Sequence, residues 1–122
     1  MSFVKRIDTV FVPVTNLERS EKWYLELFPF EVTFRSSDGN YVGFRFKDHH
    51  PFQTGLCIYK VEKVEQGKHM TFNFFTEDVD GFHHFLQERN VKITDINEED
   101  GMRFFEFYDQ DGNEMDAVAF PE

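Results

Sequence analysis

The sequence is poor in cysteine, in long apolar runs and in positive charge, and each shortage excludes a class of protein. The single cysteine, Cys57, excludes an internal disulfide and favours a reducing compartment. No apolar run approaches the roughly 20 residues that a transmembrane helix needs, and the N-terminal stretch does not resemble a secretory signal. We therefore expect a cytoplasmic protein with no membrane partner.

Positive charge is scarce, because 13 lysines and arginines stand against 23 aspartates and glutamates, for a formal net charge of −10. A field of this sign repels phosphate backbones, so we expect no nucleic-acid partner. Phenylalanine, in contrast, is abundant, with 17 copies in 122 residues. Their rings are expected to dominate the packing of a core or the walls of a pocket.

The chain contains an internal repeat. The pairs Asn16 and Asp78, Leu17 and Val79, and the dipeptides Asp38-Gly39 and Asp100-Gly101 each lie 62 positions apart. Each pair occupies the same place in a local pattern, namely a helix cap, the start of an apolar helical stripe, and a turn. The repeat predicts an α+β protein of two tandem βαβββ modules, at about 5–64 and 67–122, within one domain spanning residues 1–122.

Periodicity places the elements of each module. Alternation predicts strands at Ile7–Val14, Phe30–Ser36, Tyr41–Lys47 and Leu56–Val61, and in the second half at Met70–Phe75, Val91–Ile96, Met102–Tyr108 and Glu114–Phe120. One helix is predicted to begin after Asn16 and to end before Pro29, which cannot continue it. The other begins after Asp78 and ends near Asn90.

Three further segments carry a recognisable pattern: Val12–Ser20 followed by Trp23-Tyr24, Thr76–Asp80, and Tyr108–Asn113. Together they resemble the vicinal oxygen chelate superfamily, which includes glyoxalase I, extradiol dioxygenases, fosfomycin-resistance enzymes and bleomycin-binding proteins. The resemblance implies that the two modules curl into one cup-shaped mixed sheet with the helices outside and a small-molecule site inside. It also implies a homodimer. Gln110 and Pro29 depart from the family, which usually has Pro and Gly there.

The resemblance also implies a divalent metal held by a His from the first strand of each module and by carboxylates from the last strands. Those positions fall on Thr9, Thr71 and Asp116, with the fourth in the region of Cys57. Neutral hydroxyls are poor ligands, and a catalytic metal needs about three good ones. We therefore expect no metal cofactor. If a metal is bound, His69 and Asp116 are the candidate ligands; the other histidines, His49, His50, His83 and His84, are interpreted as solvent-exposed.

Strand alternation predicts which side chains line the cup. They are Thr9, Phe11, Thr71, Asn73, Phe75, Asp116, Val118 and Phe120. Aromatic walls with a few polar groups are typical of a ligand pocket, although the rings could instead fill the cup as core. Asp116 has three interpretations: an anchor for a cationic or hydroxylated ligand, a general base, or an acceptor for the Thr9 and Thr71 hydroxyls.

The leading hypothesis is a protein that binds a small molecule in this aromatic cup without the usual His/Glu metal centre. The alternative is a metal-dependent lyase, transferase or dioxygenase of the same superfamily that uses His69 and Asp116. A third possibility is an interaction protein whose cup is filled. The sequence identifies neither the ligand nor whether the site lies in one chain or at a dimer interface.

Overall fold

The computed structural model describes residues 3–48, 53–65 and 72–120. The chain divides into two compact units, Met1–Val64 and Glu65–Glu122, each with one helix and one open mixed sheet. The first unit contains β1 (Thr9–Val14), α1 (Leu17–Leu27), β2 (Phe30–Arg35), β3 (Tyr41–Phe46) and β4 (Gly55–Lys60). The second contains β5 (Asn73–Phe75), α2 (Val79–Glu88), β6 (Lys92–Ile93), β7 (Asn97–Glu99), β8 (Met102–Tyr108) and β9 (Glu114–Ala119). The predicted α+β class is confirmed.

Both helices begin and end at the predicted signals. The Asn16 side chain accepts a hydrogen bond from the Arg19 amide at 3.0 Å, which caps α1. The helix ends because the residue before Pro29, Phe28, is extended with φ −126°. Asp78 caps α2 in the same way, and Asn90 just beyond α2 is left-handed with φ 58°. Among the described residues, no helix has the length and apolar character needed to cross a bilayer.

The first sheet has the strand order β1-β4-β3-β2, with β1 parallel to β4 and the remaining pairs antiparallel. Its helix-facing side is a buried core of aromatic rings and aliphatic side chains. The Tyr24 ring of α1 stacks 6.1 Å from Phe44, which stacks in turn 5.4 Å from Phe30. Because α1 covers this side, the alternate residues of each strand lie on the opposite side of the sheet.

The second sheet has the order β5-β9-β8-β6, with β7 also paired to β8. The single strand predicted at Val91–Ile96 is therefore wrong in detail, since two short strands pair with the two halves of β8. The Thr94 hydroxyl accepts a hydrogen bond from the Glu106 amide at 2.9 Å, so a side-chain oxygen stands where a backbone oxygen would accept in the hydrogen-bond ladder with β8. The pairing register shifts by one residue at this point, as in a β-bulge.

Helix α2 covers one side of the second sheet. The Phe82 ring lies 6.0 Å from Phe105 and 5.7 Å from Phe107, both fully buried on β8. His83 joins this packing, because its Nε2 lies 2.9 Å from the Thr94 carbonyl oxygen and its ring meets Phe105 edge-on at 4.9 Å. The interpretation of His83 as a solvent-exposed residue is therefore wrong. His84 is exposed, whereas His49, His50 and His69 lie outside the described residues.

The hairpin between β8 and β9 positions the last strand. The Asp109 carboxylate accepts hydrogen bonds from the Asp111 and Asn113 amides, both at 2.9 Å. Gly112 takes φ 82°, a conformation that glycine adopts without steric cost. The turn sets Tyr108 directly opposite Glu114, and the register of every later pair on β8 and β9 follows from it.

Candidate functional site

The candidate site is the side of the second sheet that faces away from α2, which we call the open face. Residues paired directly across neighbouring strands share a face. Asp116 of β9 pairs with Asn73 of β5 on one side and with Glu106 of β8 on the other. Two residues further along β9, Val118 pairs in the same way with Phe75 and Phe104. The open face therefore has a polar row next to an apolar one.

Three acidic side chains meet on this face. Glu106, Glu114 and Asp116 each offer an oxygen, and the three oxygens all lie within 4.8 Å of one another. We call these residues the carboxylate cluster. Glu114 and Asp116 are two residues apart on β9 and so point to the same side, while strand pairing adds Glu106 from β8. The cluster concentrates negative charge on a sheet surface.

The Tyr108 hydroxyl is the proton donor at one edge of the cluster. It lies 3.3 Å from Glu106 Oε2 and 3.2 Å from Glu114 Oε1, with one proton to donate to this pair. Burial, reinforced by the charges of Glu114 and Glu106, raises the pKa of Tyr108 to about 12, so the hydroxyl stays protonated at neutral pH. Lys92 Nζ lies 4.7 Å from the centre of the Tyr108 ring, a cation–π contact.

Asp116 differs from its two neighbours in being buried, with 9% of its surface exposed. Within residues 3–48, 53–65 and 72–120, no hydrogen bond or ion pair involves its carboxylate. Burial, and then the charges of Glu106 and Glu114, raise the pKa of Asp116 to about 6. Solvent still reaches its oxygens, because none of the buried side-chain oxygen and nitrogen atoms of the described residues lacks a hydrogen-bond partner. A ligand on the open face could therefore donate a hydrogen bond to Asp116.

The apolar row is open rather than filled. Phe75 and Phe120 are 65% and 56% exposed, and their rings stack 6.2 Å apart at an interplanar angle of 10°. Val118 is buried between its neighbours on β5 and β8. The alternative that the rings of this row form a buried core does not apply to Phe75 and Phe120.

In the first unit, the residues predicted to line the cup lie on the side of the sheet away from α1. The Thr9 hydroxyl donates a hydrogen bond to Asp8 Oδ2 at 2.9 Å. Hydrogen bonds from Arg6 and then Thr9, with a further one from Arg45, lower the pKa of Asp8 to about 2. Phe11 is 60% exposed and contacts the Tyr59 ring at 6.5 Å, edge to face. Thr71, the remaining predicted residue, lies outside the described residues.

The described residues at the family's metal positions do not fit a His and carboxylate centre. Thr9 offers a hydroxyl that is already bonded to Asp8, and Cys57 offers a buried thiol whose pKa is raised by burial. A neutral thiol is a weak ligand, since metals bind the thiolate. Asp116 is the one carboxylate at these positions, and the His69 candidate is outside the described residues.

Sequence reasoning identified Asp116 but missed three of its neighbours, Glu106, Tyr108 and Glu114. Two signals were available in the alternation of the last two strands. Glu106 and Tyr108 alternate with Phe105 and Phe107, and Glu114 shares the parity of Asp116. Without the pairing register, these signals do not bring residues of different strands together.

Comparison with known proteins gives a consistent family assignment. The family model described as Glyoxalase/Bleomycin resistance protein/Dioxygenase superfamily matches residues 6–116. No reviewed protein sequence matches significantly.

Solved structures with a similar fold include TnmS3, an antibiotic binding protein from Streptomyces sp. CB03234, at a TM-score of 0.81 and 22% identity, with both chains covered in full. They also include an integron cassette protein from the Halifax Harbour sewage outfall metagenome, at 0.80 and 18% identity, covering 96% of this chain and 100% of the other. A third is the fosfomycin resistance protein FosX from Listeria monocytogenes, at 0.74 and 18% identity, covering 98% of this chain and 93% of the other. At these identities the likeness shows the fold alone.

Proposed function

The chain belongs to the glyoxalase/bleomycin resistance/dioxygenase superfamily, and we propose that within it the protein binds a small molecule without the usual His/Glu metal centre. The observation that carries the proposal is the buried Asp116 carboxylate, which faces an apolar and aromatic row on the open face and lacks a donor among the described residues. Apolar walls with a few oriented polar groups are the usual composition of a small-molecule site.

The proposal extends to the residues first expected in the cup. Thr71, Asn73, Phe75, Asp116, Val118 and Phe120 are proposed for the second unit, and Thr9 and Phe11 are proposed for the first. Two structural relatives are an antibiotic binding protein and a fosfomycin resistance protein, which favours a small organic ligand for this protein as well. We also propose a cytoplasmic homodimer, which light scattering coupled to gel filtration would test.

A metal-dependent lyase, transferase or dioxygenase is the competing function. The carboxylate cluster supports it to the extent that three oxygen ligands suit a hard divalent cation such as Mg²⁺, Ca²⁺ or Mn²⁺. His69 and Asp116 would be the ligands of the family-type centre. The absence of imidazole at Thr9 argues against that centre.

The two functions are separated by analysing protein purified without a chelator. We expect a small organic molecule in the mass spectrum of the native protein, and less than stoichiometric metal by elemental analysis. The same preparation of the Asp116→Asn variant should lose the organic molecule. Stoichiometric Mn, Fe, Ni or Zn that disappears in this variant would refute the proposal in favour of the metal-dependent enzyme.

A further inference from the structure

One row of residues crosses the first sheet on the side away from α1. Strand pairing sets it in the order Phe11, Cys57, Gly43 and Phe34, from β1 to β2. Residues paired in this way share a face of the sheet. The two outer side chains are phenylalanines, 60% and 54% exposed, whereas the two inner residues are small and buried. The glycine lets Phe34 lie close to β3, because a Cβ at Gly43 would come within 3.3 Å of the Phe34 Cβ.

Two tyrosines extend this aromatic surface along the strands. Tyr59 of β4 pairs with Tyr41 of β3, and their rings stack 6.1 Å apart. The Tyr59 ring also meets the Phe11 ring edge-on at 6.5 Å. We call Phe11, Phe34, Tyr41 and Tyr59 the aromatic frame. A contiguous exposed apolar patch usually marks a ligand or partner site, unlike single exposed rings.

A fixed cation lies at the end of the frame away from the tyrosines. Arg45 follows Gly43 by two residues on β3, so it is on the same side of the sheet, about 7 Å further along. Its guanidinium donates to the Gln53 carbonyl oxygen at 3.0 Å and to Asp8 Oδ1 at 2.9 Å. Gly55 leaves room for it, because a Cβ there would lie 3.3 Å from Arg45 Cζ. A guanidinium has five N–H donors, so it can serve these two acceptors and also donate to a ligand.

The distribution of charge favours an anionic ligand in the first unit rather than in the second. The first unit holds nine lysines and arginines against eight aspartates and glutamates, a formal charge of +1, whereas the second holds four against fifteen, or −11. Near Arg45, the second cation Arg6 shares Asp8 with it, and Glu31 stands opposite Arg45 on β2. The local charges therefore balance, and an anion is not repelled there as it is by the field of the second unit.

We propose that the first sheet binds an aryl carboxylate, with its flat ring system stacked on the aromatic frame and its carboxylate on the Arg45 guanidinium. Flat rings stack favourably on aromatic side chains, and a guanidinium binds a carboxylate through paired hydrogen bonds. The two contacts lie about 7 Å apart along the strands, a spacing that one small molecule spans. This inference rests on the proposed function and names the ligand chemistry of the first-unit part of its surface.

The test is a titration of isotopically labelled protein with 2-naphthoate, followed by amide chemical shifts, which report both affinity and location. Two analogues isolate each requirement: 2-naphthamide keeps the shape but lacks the charge, and decahydro-2-naphthoate keeps the charge but lacks the flat aromatic rings. We expect 2-naphthoate to shift amides of β3 and β4 and to bind at least about tenfold more tightly than either analogue.

Variants separate the two contacts. Arg45→Gln should weaken binding of 2-naphthoate about tenfold and binding of 2-naphthamide much less, whereas Phe34→Leu should weaken both. Arg35→Gln is the matched control, because Arg35 lies on the helix-facing side of the same sheet, paired with Glu21 of α1. The amide spectrum of each variant shows whether it folds. If Arg45→Gln does not fold, Arg45→Lys replaces it, with a smaller expected loss, because lysine keeps the charge but not the forked donors.

Each requirement of the proposal has a result that would overturn it. Equal affinity for 2-naphthoate and 2-naphthamide, or equal losses in Arg45→Gln and Arg35→Gln, would exclude the anionic ligand. Equal affinity for decahydro-2-naphthoate would exclude stacking, and shifts confined to β8 and β9 would exclude the location. Failure of every probe to bind would overturn the proposal outright. A mass by light scattering that falls in Phe34→Leu would then identify the frame as an interface between copies.

These results are distinguishable from failure of the proposed function. The co-purification experiment depends on Asp116 in the second unit and involves no substitution in the aromatic frame or at Arg45. A bound organic molecule without a carboxylate would therefore support the proposed function and overturn the ligand class.

Discussion

The raised pKa of Asp116 makes a quantitative prediction about stability. In the unfolded chain this carboxyl titrates near the ordinary aspartate pKa of 3.8, whereas in the folded protein its pKa is about 6. The folded state therefore holds a proton that the unfolded state has released between these two values. Stability must fall as pH rises through this window, by up to about 1.4 kcal/mol per pH unit, and the loss is complete above about pH 6.

The size of the penalty follows from the same two values. A difference of about two units sets an upper limit of about 3 kcal/mol on the stability cost at neutral pH, because each unit is worth about 1.4 kcal/mol and solvent that reaches the carboxylate screens its charge. Among the described residues, the titratable groups on this side of the sheet near Asp116 are Glu106 and Tyr108 from β8, Glu114 from β9, and Lys92 at the edge. Asp116→Asn keeps the shape of the side chain and removes the charge. We expect the variant to match the parent protein near pH 4 and to be more stable at neutral pH, by up to about 3 kcal/mol.

The assay is urea unfolding of the parent protein and of Asp116→Asn, between about pH 4 and about pH 8. Far-UV circular dichroism is the appropriate signal, since the single tryptophan, Trp23, lies on α1 in the first unit and Asp116 lies in the second. Glu77→Gln controls for the change in net charge. If the parent and Asp116→Asn show the same pH dependence across the window, the carboxyl is not buried among like charges and the reasoning fails.

Three further substitutions and one labelling experiment have expected results. Tyr108→Phe removes the donor shared by Glu106 and Glu114 and should destabilise the protein by about 1 kcal/mol at neutral pH, measured by urea unfolding. Leu86→Ala truncates a fully buried side chain of α2 and should lower the free energy of unfolding by about 2–5 kcal/mol. A loss no larger than that caused by truncating an exposed leucine would contradict the packing. Asp78→Ala removes the cap of α2 and should cost about 1 kcal/mol, unlike Asp78→Asn, which retains an acceptor. Cys57 should react with a thiol reagent far more slowly in native protein than in urea, because burial raises its pKa; rapid native labelling would show that the first sheet opens.

Local signals in the sequence were sufficient for most of the secondary structure. The caps at Asn16 and Asp78 and the stop at Pro29 depend on neighbouring residues alone, so they could be recognised without tertiary information. The strand at 91–96 was drawn too simply, because the Thr94 hydroxyl enters the ladder with β8 and shifts its register. Whether a side-chain hydroxyl replaces a backbone acceptor in this way depends on the partner strand, which local sequence does not reveal.

Histidines were harder to interpret from sequence than caps were. His83 lies outside the apolar stripe of α2, which made exposure the natural expectation. It packs instead against Phe105 and contacts the Thr94 carbonyl oxygen, because the bulged segment after α2 returns alongside the helix. No periodicity within the helix carries that information.

The sequence by itself indicated an α+β chain with an internal repeat and a resemblance to the glyoxalase superfamily, and it placed Asp116 just after the turn of the last hairpin. The resemblance assigns a metal-binding histidine to the position that Thr9 occupies. These features are local in the chain and depend on caps, turns and alternation. The tertiary structure decided that Glu106, Glu114 and Asp116 lie close together and that the Tyr108 hydroxyl is within hydrogen-bond distance of the first two. It also decided that Asp116 lacks a hydrogen-bond donor among the described residues. Strand register controls which residues face one another, and it is set by pairing between distant segments rather than by any one of them.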